Sequence, residues 1–551
     1  MEKGQLVELM IEDLSAEGQG IGRESGGADG NANGSTDGGT GGSTERGGLV
    51  IFVPETLPGD RVRARITKVK KSYAFGRVEE YLERSPHRST DFDCPYADEG
   101  CGGCPYGKLD YGMQLQVKEQ QVRSKLQRLA GIADPVIRPI IGMQPEDNDG
   151  MGCYRYRDKA VLPVSTGGII TRKGGVVENL GEPAVGFFRA KSNEVVDCQD
   201  CYLQSMAAMA AADALRTFME EDHITAFDPK WEKGLMRHLI VKTAFGTGEV
   251  MVILVINGKG IPGGPKLIDM LDEAIYETGY SLESVVLNIN KASGKNVEKN
   301  KKKDRSEIRR TGEILGEEYV TLAGKPTITE QVGHLQFEIS PASFFQVNPV
   351  QMKRLYDQVR AYVTAGMEQR ATAEMEQSAG PVILDLYCGV GSIGLYCADI
   401  AEMVIGIESV ESAVRDANRN AVINGIVNAR YICGKAEEVL PACVGASAEN
   451  GYGAPKGKQK IDAEVKEYIR RADIAILDPP RAGCRPELLE AVGKAGAESI
   501  VYVSCDPATL ARDVQLLGEM GYQMLEATPV DMFPHTGHVE TVALIQKRKG
   551  D

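Results

Sequence analysis

Apolar and polar positions alternate with a period of two in LVELMIEDL (6–14), LVIFVP (49–54) and DRVRARITKV (60–69), with Gly and Pro between the runs. That spacing places every second side chain on one face and predicts the strands of a small antiparallel barrel or sandwich over residues 1–85. Residues 24–48 interrupt it with 10 glycines in 25 positions. A tract so poor in apolar surface cannot offset its chain entropy and is expected to form a disordered loop.

Beyond it the pattern changes twice. A helical stretch, DYGMQLQVKEQQVRSKLQRLAG (110–131), precedes a region in which HLIVKTAF, VMVILVIN and SVVLNIN read as strands, broken by helical spacing near 204–221 and 265–278. Residues 86–345 are therefore expected to form a central α+β domain. Residues 350–366 have helical spacing and lead through a polar linker, 367–380, to short apolar runs that alternate with helices: PVILDLY, MVIGIE, DIAILDPP, SIVYVSC and TVALIQK. Alternation of this kind predicts a doubly wound, mostly parallel α/β sheet of Rossmann-like type for residues 346–551. The polar, Gly- and Lys-rich stretch 444–470 reads as an insertion in it.

Composition narrows the class. At 551 residues, 42% hydrophobic and 26% charged, the chain matches a soluble globular protein of several domains. No stretch approaches roughly 18 uninterrupted apolar residues, and no secretion signal opens the chain, so a cytoplasmic, membrane-free protein is expected. Twelve cysteines then point to thiols, metal ligands or catalysis rather than disulfides. The net charge of −15 does not favour nucleic acid, but two local runs are basic. RVRARITKVKK (61–71) has six basic residues and no acid, and KNKKKDRSEIRR (299–310) has seven against two acids.

The candidate cofactor site is VILDLYCGVGSIGLYCA (382–398), a strand, a glycine turn and a helix with Gly389, Gly391 and Gly394 in G-x-G-x-x-G spacing. Gly389 and Gly391 would let the backbone approach a ligand closely. Glu408, 17 residues after Gly391 at the end of MVIGIE, can accept hydrogen bonds from ribose hydroxyls, and Asp385 is a second acid at the same rim. A nicotinamide enzyme shares these features. Asp478-Pro479-Pro480, after the fourth strand, instead makes the set similar to S-adenosylmethionine-dependent methyltransferases.

In DPPRAGCR an arginine follows the prolines where amine methylases carry a stacking aromatic residue, which points to methylation at carbon 5 of a pyrimidine. That carbon becomes nucleophilic when a thiolate adds to carbon 6, and a base must then remove the carbon-5 proton. Cys505, at the carboxyl end of SIVYVS, and Glu540, just before a last strand expected to run antiparallel, are placed to be that pair. His535 and His538 could orient groups or contact RNA, with surface exposure the plainer expectation.

FFQVNP (344–349), DLYCGVGSIGL, DPPRAGC, SCDPATLARD and HVETVALI, in this order, resemble the RNA uracil-5 methyltransferase family over most of the chain. YRYRDKA and GLMRHLIVK resemble its central domain, and residues 1–70 its N-terminal TRAM barrel. The resemblance implies Cys505 as nucleophile and Glu540 as base, with Gln346, Tyr387, Ser392, Glu408 and Asp478 lining the S-adenosylmethionine and base pocket. Ser392 stands where many members have asparagine, and SCDP replaces the commoner SCNP.

Cys94, Cys101 and Cys104 share a short Gly/Pro-rich loop, and VVDCQDCYLQ adds Cys198 and Cys201. Two C-x-x-C pairs could hold zinc, but Cys104 and Cys198 lie far beyond the usual zinc-ribbon separation of roughly 15–20 residues. The family resemblance implies a [4Fe–4S] cluster on Cys94, Cys101, Cys104 and Cys201, with Cys198 as the alternative fourth ligand, in a structural or RNA-positioning role. A monomer without an obligate protein partner is the default expectation. The RNA that the resemblance implies is ribosomal, since barrel and cluster are often missing from the bacterial transfer-RNA branch. The alternatives are a transfer-RNA uracil-5 enzyme, a cytosine-5 enzyme, for which Arg481 stands where a second cysteine is expected, and a non-enzymatic iron–sulfur RNA-binding protein.

Overall fold

The computed structural model describes residues 1–24, 49–166, 169–172, 175–178, 181–229, 232–291, 314–368, 380–445 and 461–548. The glycine tract 25–48, the basic run 299–310 and residues 446–460 of the expected insertion lie outside the described residues. The chain divides into two compact units: Met1–Asp93 with Cys104–Lys118 and Phe533–His538, and the remainder.

In the first unit β1 (Leu6–Leu14), β2 (Gly20–Glu24), β3 (Val50–Val53), β4 (Arg61–Val69) and β5 (Tyr73–Glu83) close a barrel in the order β1-β2-β3-β5-β4. Alternation sends Val7, Leu9, Ile11, Ile51, Val53, Val62, Ala64, Ile66 and Ala74 inward. The barrel is antiparallel except at β3–β5, which pair in parallel. Its lower turn is tied by Asp60, whose fully buried carboxylate accepts hydrogen bonds from the backbone N–H of Leu57 (2.7 Å) and Ser85 (2.7 Å) and from the Arg88 guanidinium (2.6 Å).

His535 also belongs to this unit and departs from the expectation of exposure: it is buried, while His538 is exposed. Its backbone N–H donates to Gln114 Oε1 (2.9 Å), and its ring lies 5.4 Å from that of Phe92. Lys118 Nζ donates to the neighbouring Phe533 carbonyl (3.0 Å). The six-residue loop is thus fixed by packing and backbone hydrogen bonds.

The second unit contains two large sheets. In the central one, β6 (Lys159–Thr166) is followed by the hairpin β7 (Ile169–Arg172) and β8 (Gly175–Glu178), then β9 (Pro183–Phe188), β10 (Val195–Asp197), β11 (Met236–Thr243), β12 (Glu249–Ile256), β13 (Ser281–Ile289) and β14 (Glu318–Gly324). Seven of these strands pair in the order β10-β9-β6-β11-β12-β13-β14. Helices Met206–Glu221 and Gly264–Tyr276 bury Leu215, Phe218, Leu267 and Leu271 against Leu239 and Leu254. A second hairpin, β15 (Ile328–Val332) and β16 (Leu335–Ile339), leads into the segment before helix Pro349–Glu368.

The C-terminal sheet comprises β17 (Val382–Leu386), β18 (Met403–Glu408), β19 (Ala429–Cys433), β20 (Ile474–Leu477), β21 (Ser499–Ser504), β22 (Tyr522–Val530) and β23 (Glu540–Lys547). Their order is β19-β18-β17-β20-β21-β23-β22, with β23 antiparallel to both neighbours and the remaining pairs parallel. The order reverses beside β17, so its carboxyl end opens on the crevice where such sheets take ligands. Among the described residues no helix is long and apolar enough to cross a membrane.

Replacing Asp60 by Ala leaves two backbone N–H groups and the Arg88 guanidinium without their buried acceptor. The first unit is expected to lose about 3 kcal/mol or more of stability, read from the urea midpoint of its unfolding transition.

Candidate active site at the carboxyl rim of the C-terminal sheet

The site follows from strand register. β21 and β23 pair from Ser499 opposite Gln546 to Ser504 opposite Thr541. Carried one residue further, that register sets Cys505 opposite Glu540, and directly paired residues project to the same face. Cys505 is partly exposed at the end of β21, whereas Glu540 is only 4% exposed. Asp478 and Arg481, in the loop after β20, reach the same place: both act electrostatically on the Cys505 thiol and on the Glu540 carboxyl. Burial and then the Glu540 and Asp478 charges push the thiol up to about 11, with Arg481 opposing. Burial and Asp478 push Glu540 up to about 8, again with Arg481 opposing. Arg481 is the site residue that sequence reasoning did not assign. Its only linear signal is its place one residue beyond the two prolines.

Asp506 has a defined local part. It is the N-cap of helix Pro507–Glu519, its Oδ1 accepting from the Ala508 N–H (2.8 Å), a bond that aspartate and asparagine make equally well. The substitution of SCNP by SCDP therefore keeps the turn that presents Cys505.

The glycine turn lies one strand away. Glu408, at the end of β18, accepts from the N–H groups of Gly389 (3.2 Å) and Val410 (2.7 Å), holding the turn against the second strand. Asp385 accepts from the Gly394 N–H through Oδ2 (3.0 Å), while its buried Oδ1 has no partner among the described residues. Burial raises the carboxyls of Asp385 and Asp478 to about 7.

The glycines divide by cause. A Cβ on Gly391 would stand 2.5 Å from the Tyr431 hydroxyl, so internal packing excludes a side chain there. On Gly389 (φ +54) a Cβ would point into open space. That space, beside the Glu408 carboxylate that accepts from the Gly389 N–H, suits a ligand that carries hydroxyls and approaches the backbone.

The remaining predicted residues are placed as follows. Gln346 is buried in a segment fixed from both sides: Val347 O accepts from the Asp158 N–H (3.0 Å), and Asn348 Nδ2 donates to Met532 O (3.3 Å). Lys242 anchors the start of the segment, donating to Ser340 O (2.7 Å) and Ser343 O (2.9 Å). Ser392 is buried with its hydroxyl on that of Tyr356 (2.7 Å). Tyr387 has a left-handed backbone (φ 64), and its hydroxyl donates to Glu437 Oε1 (2.8 Å).

Of the five candidate thiols, Cys94, Cys101, Cys198 and Cys201 lie within electrostatic reach of one another in the second unit. Cys198 and Cys201 share a hydrogen bond that raises the first thiol and lowers the second. Thiolates are the right donor class for an iron–sulfur cluster or zinc, yet among the described residues no group of three or more His, Cys, Asp or Glu side chains is arranged to hold a metal ion.

A seven-stranded sheet with one reversed strand, a glycine turn and paired acids at its carboxyl rim defines a methyltransferase-type domain. The comparisons with known proteins agree. The family model described as tRNA (Uracil-5-)-methyltransferase matches residues 345–548, and that of the TRAM domain residues 1–78. An uncharacterized RNA methyltransferase of Caldanaerobacter subterraneus subsp. tengcongensis is 37% identical over 99% of this chain and 98% of its own. One from Halalkalibacterium halodurans is 32% identical with the same coverage. Among solved structures, a Pyrococcus abyssi tRNA (uracil-54, C5)-methyltransferase in complex with S-adenosyl-L-homocysteine is similar with a TM-score of 0.62 and 25% identity, over 98% of this chain and 100% of that one. The chain belongs to the RNA uracil-5 methyltransferase family and is an S-adenosylmethionine-dependent RNA methyltransferase.

The buried acids carry a pH dependence for stability. Asp385, Asp478 and Glu540 titrate above their ordinary values of 3.8, 3.8 and 4.5. A carboxyl raised on folding stabilises fully below its unfolded value and loses that contribution as pH climbs through its folded one. Stability measured by urea unfolding is therefore expected to fall between about pH 4 and about pH 8, and Asp385→Asn to reduce the fall.

Proposed function

We propose that this enzyme methylates carbon 5 of a specific uridine in ribosomal RNA through a covalent adduct at Cys505. The observation that carries the reading is the convergence of Cys505, Glu540, Asp478 and Arg481 on one rim. The thiolate of Cys505 bonds to carbon 6, and the ring electrons shift to give an enolate. Gly389, Glu408, Gln346, Tyr387, Ser392 and Asp478 would hold S-adenosylmethionine, whose sulfonium would supply an electrophilic methyl group to the nucleophilic carbon 5 and leave as the neutral thioether S-adenosylhomocysteine. Once carbon 5 is methylated, Glu540 takes its proton and the Cys505 sulfur leaves as the double bond re-forms. Arg481 favours the anionic forms of both groups, against burial that disfavours them.

Transfer RNA is the second reading, supported by the Pyrococcus abyssi neighbour, which acts on uracil 54 of tRNA. Mass mapping of 5-methyluridine in ribosomal and transfer RNA, with and without the gene, separates the two.

Two experiments test the chemistry. RNA containing 5-fluorouridine should form a denaturant-resistant complex with the wild type and none with Cys505→Ala. Glu540→Gln should lower kcat roughly 10²–10⁴-fold and accumulate the adduct with ordinary RNA, while wild-type turnover rises with pH through about 8. Turnover by Cys505→Ala would exclude the mechanism.

We further read Cys94, Cys101, Cys104 and Cys201 as ligands of a [4Fe–4S] cluster, with zinc on these thiols as the alternative. The methyl transfer itself needs no redox centre. Anaerobically purified protein should contain iron and acid-labile sulfide in equal amounts, lost in Cys201→Ser and kept in Cys198→Ser. Zinc without sulfide would overturn the assignment.

A further inference from the structure

Arg481 acts on both Cys505 and Glu540, yet its own side chain is not tied down. The residue is exposed, and among the described residues no hydrogen bond holds its guanidinium. Its place at the rim therefore comes from the backbone that carries it. Pro480 to Gly483 form a tight turn, closed by the Gly483 N–H on Pro480 O (2.8 Å), with Arg481 and Ala482 at its centre. Gly483 leaves the turn with a left-handed backbone (φ +74), a conformation that a side chain would strain.

The turn rests on the helix that follows the nucleophile. Thr509, with Arg512 and Asp513 three and four residues on, lies on one face of helix Pro507–Glu519. Arg512 Nη2 donates to Ala482 O (2.9 Å) and Cys484 O (3.3 Å). Asp513, fully buried, accepts through Oδ2 from the Cys484 N–H (2.8 Å) and the Tyr502 hydroxyl (2.6 Å). Its Oδ1 accepts from Arg512 Nε (2.8 Å). A Cβ on Gly483 would collide with Arg512 Nη2 and stand 2.7 Å from Asp513 Oδ2, so the turn approaches the pair as closely as a glycine permits. Tyr502 is on β21, three residues before Cys505. One carboxylate thus joins the strand that ends at the nucleophile, the helix that follows it, and the turn that carries Arg481. Charge-assisted bonds to a buried carboxylate are short and directional, and breaking them is costly.

We propose that Arg512 and Asp513 are positioning residues for methyl transfer, which fix the turn bearing Arg481 to the strand–helix unit that presents Cys505. Neither touches the reacting atoms, and each acts through Arg481. The inference rests on the covalent mechanism above and adds what sets the charge environment of its two reacting groups. The groups that act on the Cys505 thiol are Glu540 of β23 and Asp478 and Arg481 of the loop, and those that act on Glu540 are Asp478 and Arg481. Arg481 is the cation among them, so releasing its turn leaves acids and burial to oppose ionisation of both the thiol and the carboxyl.

The test follows alkylation of Cys505 by iodoacetamide in the full chain, read on its own peptide by mass spectrometry between about pH 7 and about pH 9, where the rate reports the thiolate fraction. Arg481→Gln should slow it about tenfold at each pH, the effect of one unit on the thiol. Asp513→Asn and Arg512→Gln should each slow it by roughly 3- to 10-fold and add little in combination with Arg481→Gln. The rise of turnover with pH should move above about 8 in each variant. Arg512 is nearly half exposed, so its variant tests the grip without opening the core. Wild-type alkylation and an unmoved turnover profile in both variants, even with lower stability or kcat, would make the pair merely structural and overturn the proposal. Full additivity with Arg481→Gln would overturn it as well. Absence of the 5-fluorouridine adduct in wild type, with the alkylation effects retained, would instead remove the methylation mechanism and leave the positioning role standing.

Discussion

The antiparallel pairing of the last strand with β21 is the constraint from which the site follows. A parallel last strand would put its carboxyl end, Lys547, at the rim; reversal puts its first residue there, and that residue is Glu540. Because the pairing is continuous from Ser499 to Ser504 and both faces of β23 are buried, a slip of one residue would swap each side chain to the opposite packed face. The core thus fixes the register, and the register fixes the distance between sulfur and carboxylate. Residues 35 positions apart along no common motif become neighbours through the pairing of two buried strands.

Around this pair the protein keeps acids where water is scarce. Asp385, Asp478 and Glu540 are all raised by desolvation, and Arg481 counters it at Glu540. Such an arrangement is costly in the resting protein and is tolerated because rigid elements enforce it. Lys242 and Asp158 of the central domain hold the chain segment that carries Gln346, and Glu408 ties the glycine turn to its neighbouring strand. The central sheet in this respect positions residues that belong to the methyltransferase domain by sequence.

Much of this was legible in the linear pattern. Period-two alternation in β1 and β4 marked the barrel, and apolar runs separated by helices marked the doubly wound sheet, because both signals come from burial of one face. Cys505 and Asp478 were legible because each follows an apolar strand directly. Other features depended on residues brought from elsewhere. The run 61–71 looked uniformly basic, yet acids on β1 and β5 neutralise its arginines. Gly391 looked like a ligand-approach glycine, whereas Tyr431 from another strand is what excludes its side chain. His535 looked exposed in a polar loop, and Gln114 and Phe92 enclose it.

What the sequence determined by itself was local: the strand and helix periods, the glycine turn, the cap that presents Cys505, and the chemical kinds available for catalysis. These depend on interactions within a few residues, where backbone geometry dictates spacing. Tertiary structure alone decided which charges face one another, and that Arg481 acts on both Cys505 and Glu540. Those outcomes turn on through-space distance and on the exclusion of water, and neither quantity exists until distant segments have packed together.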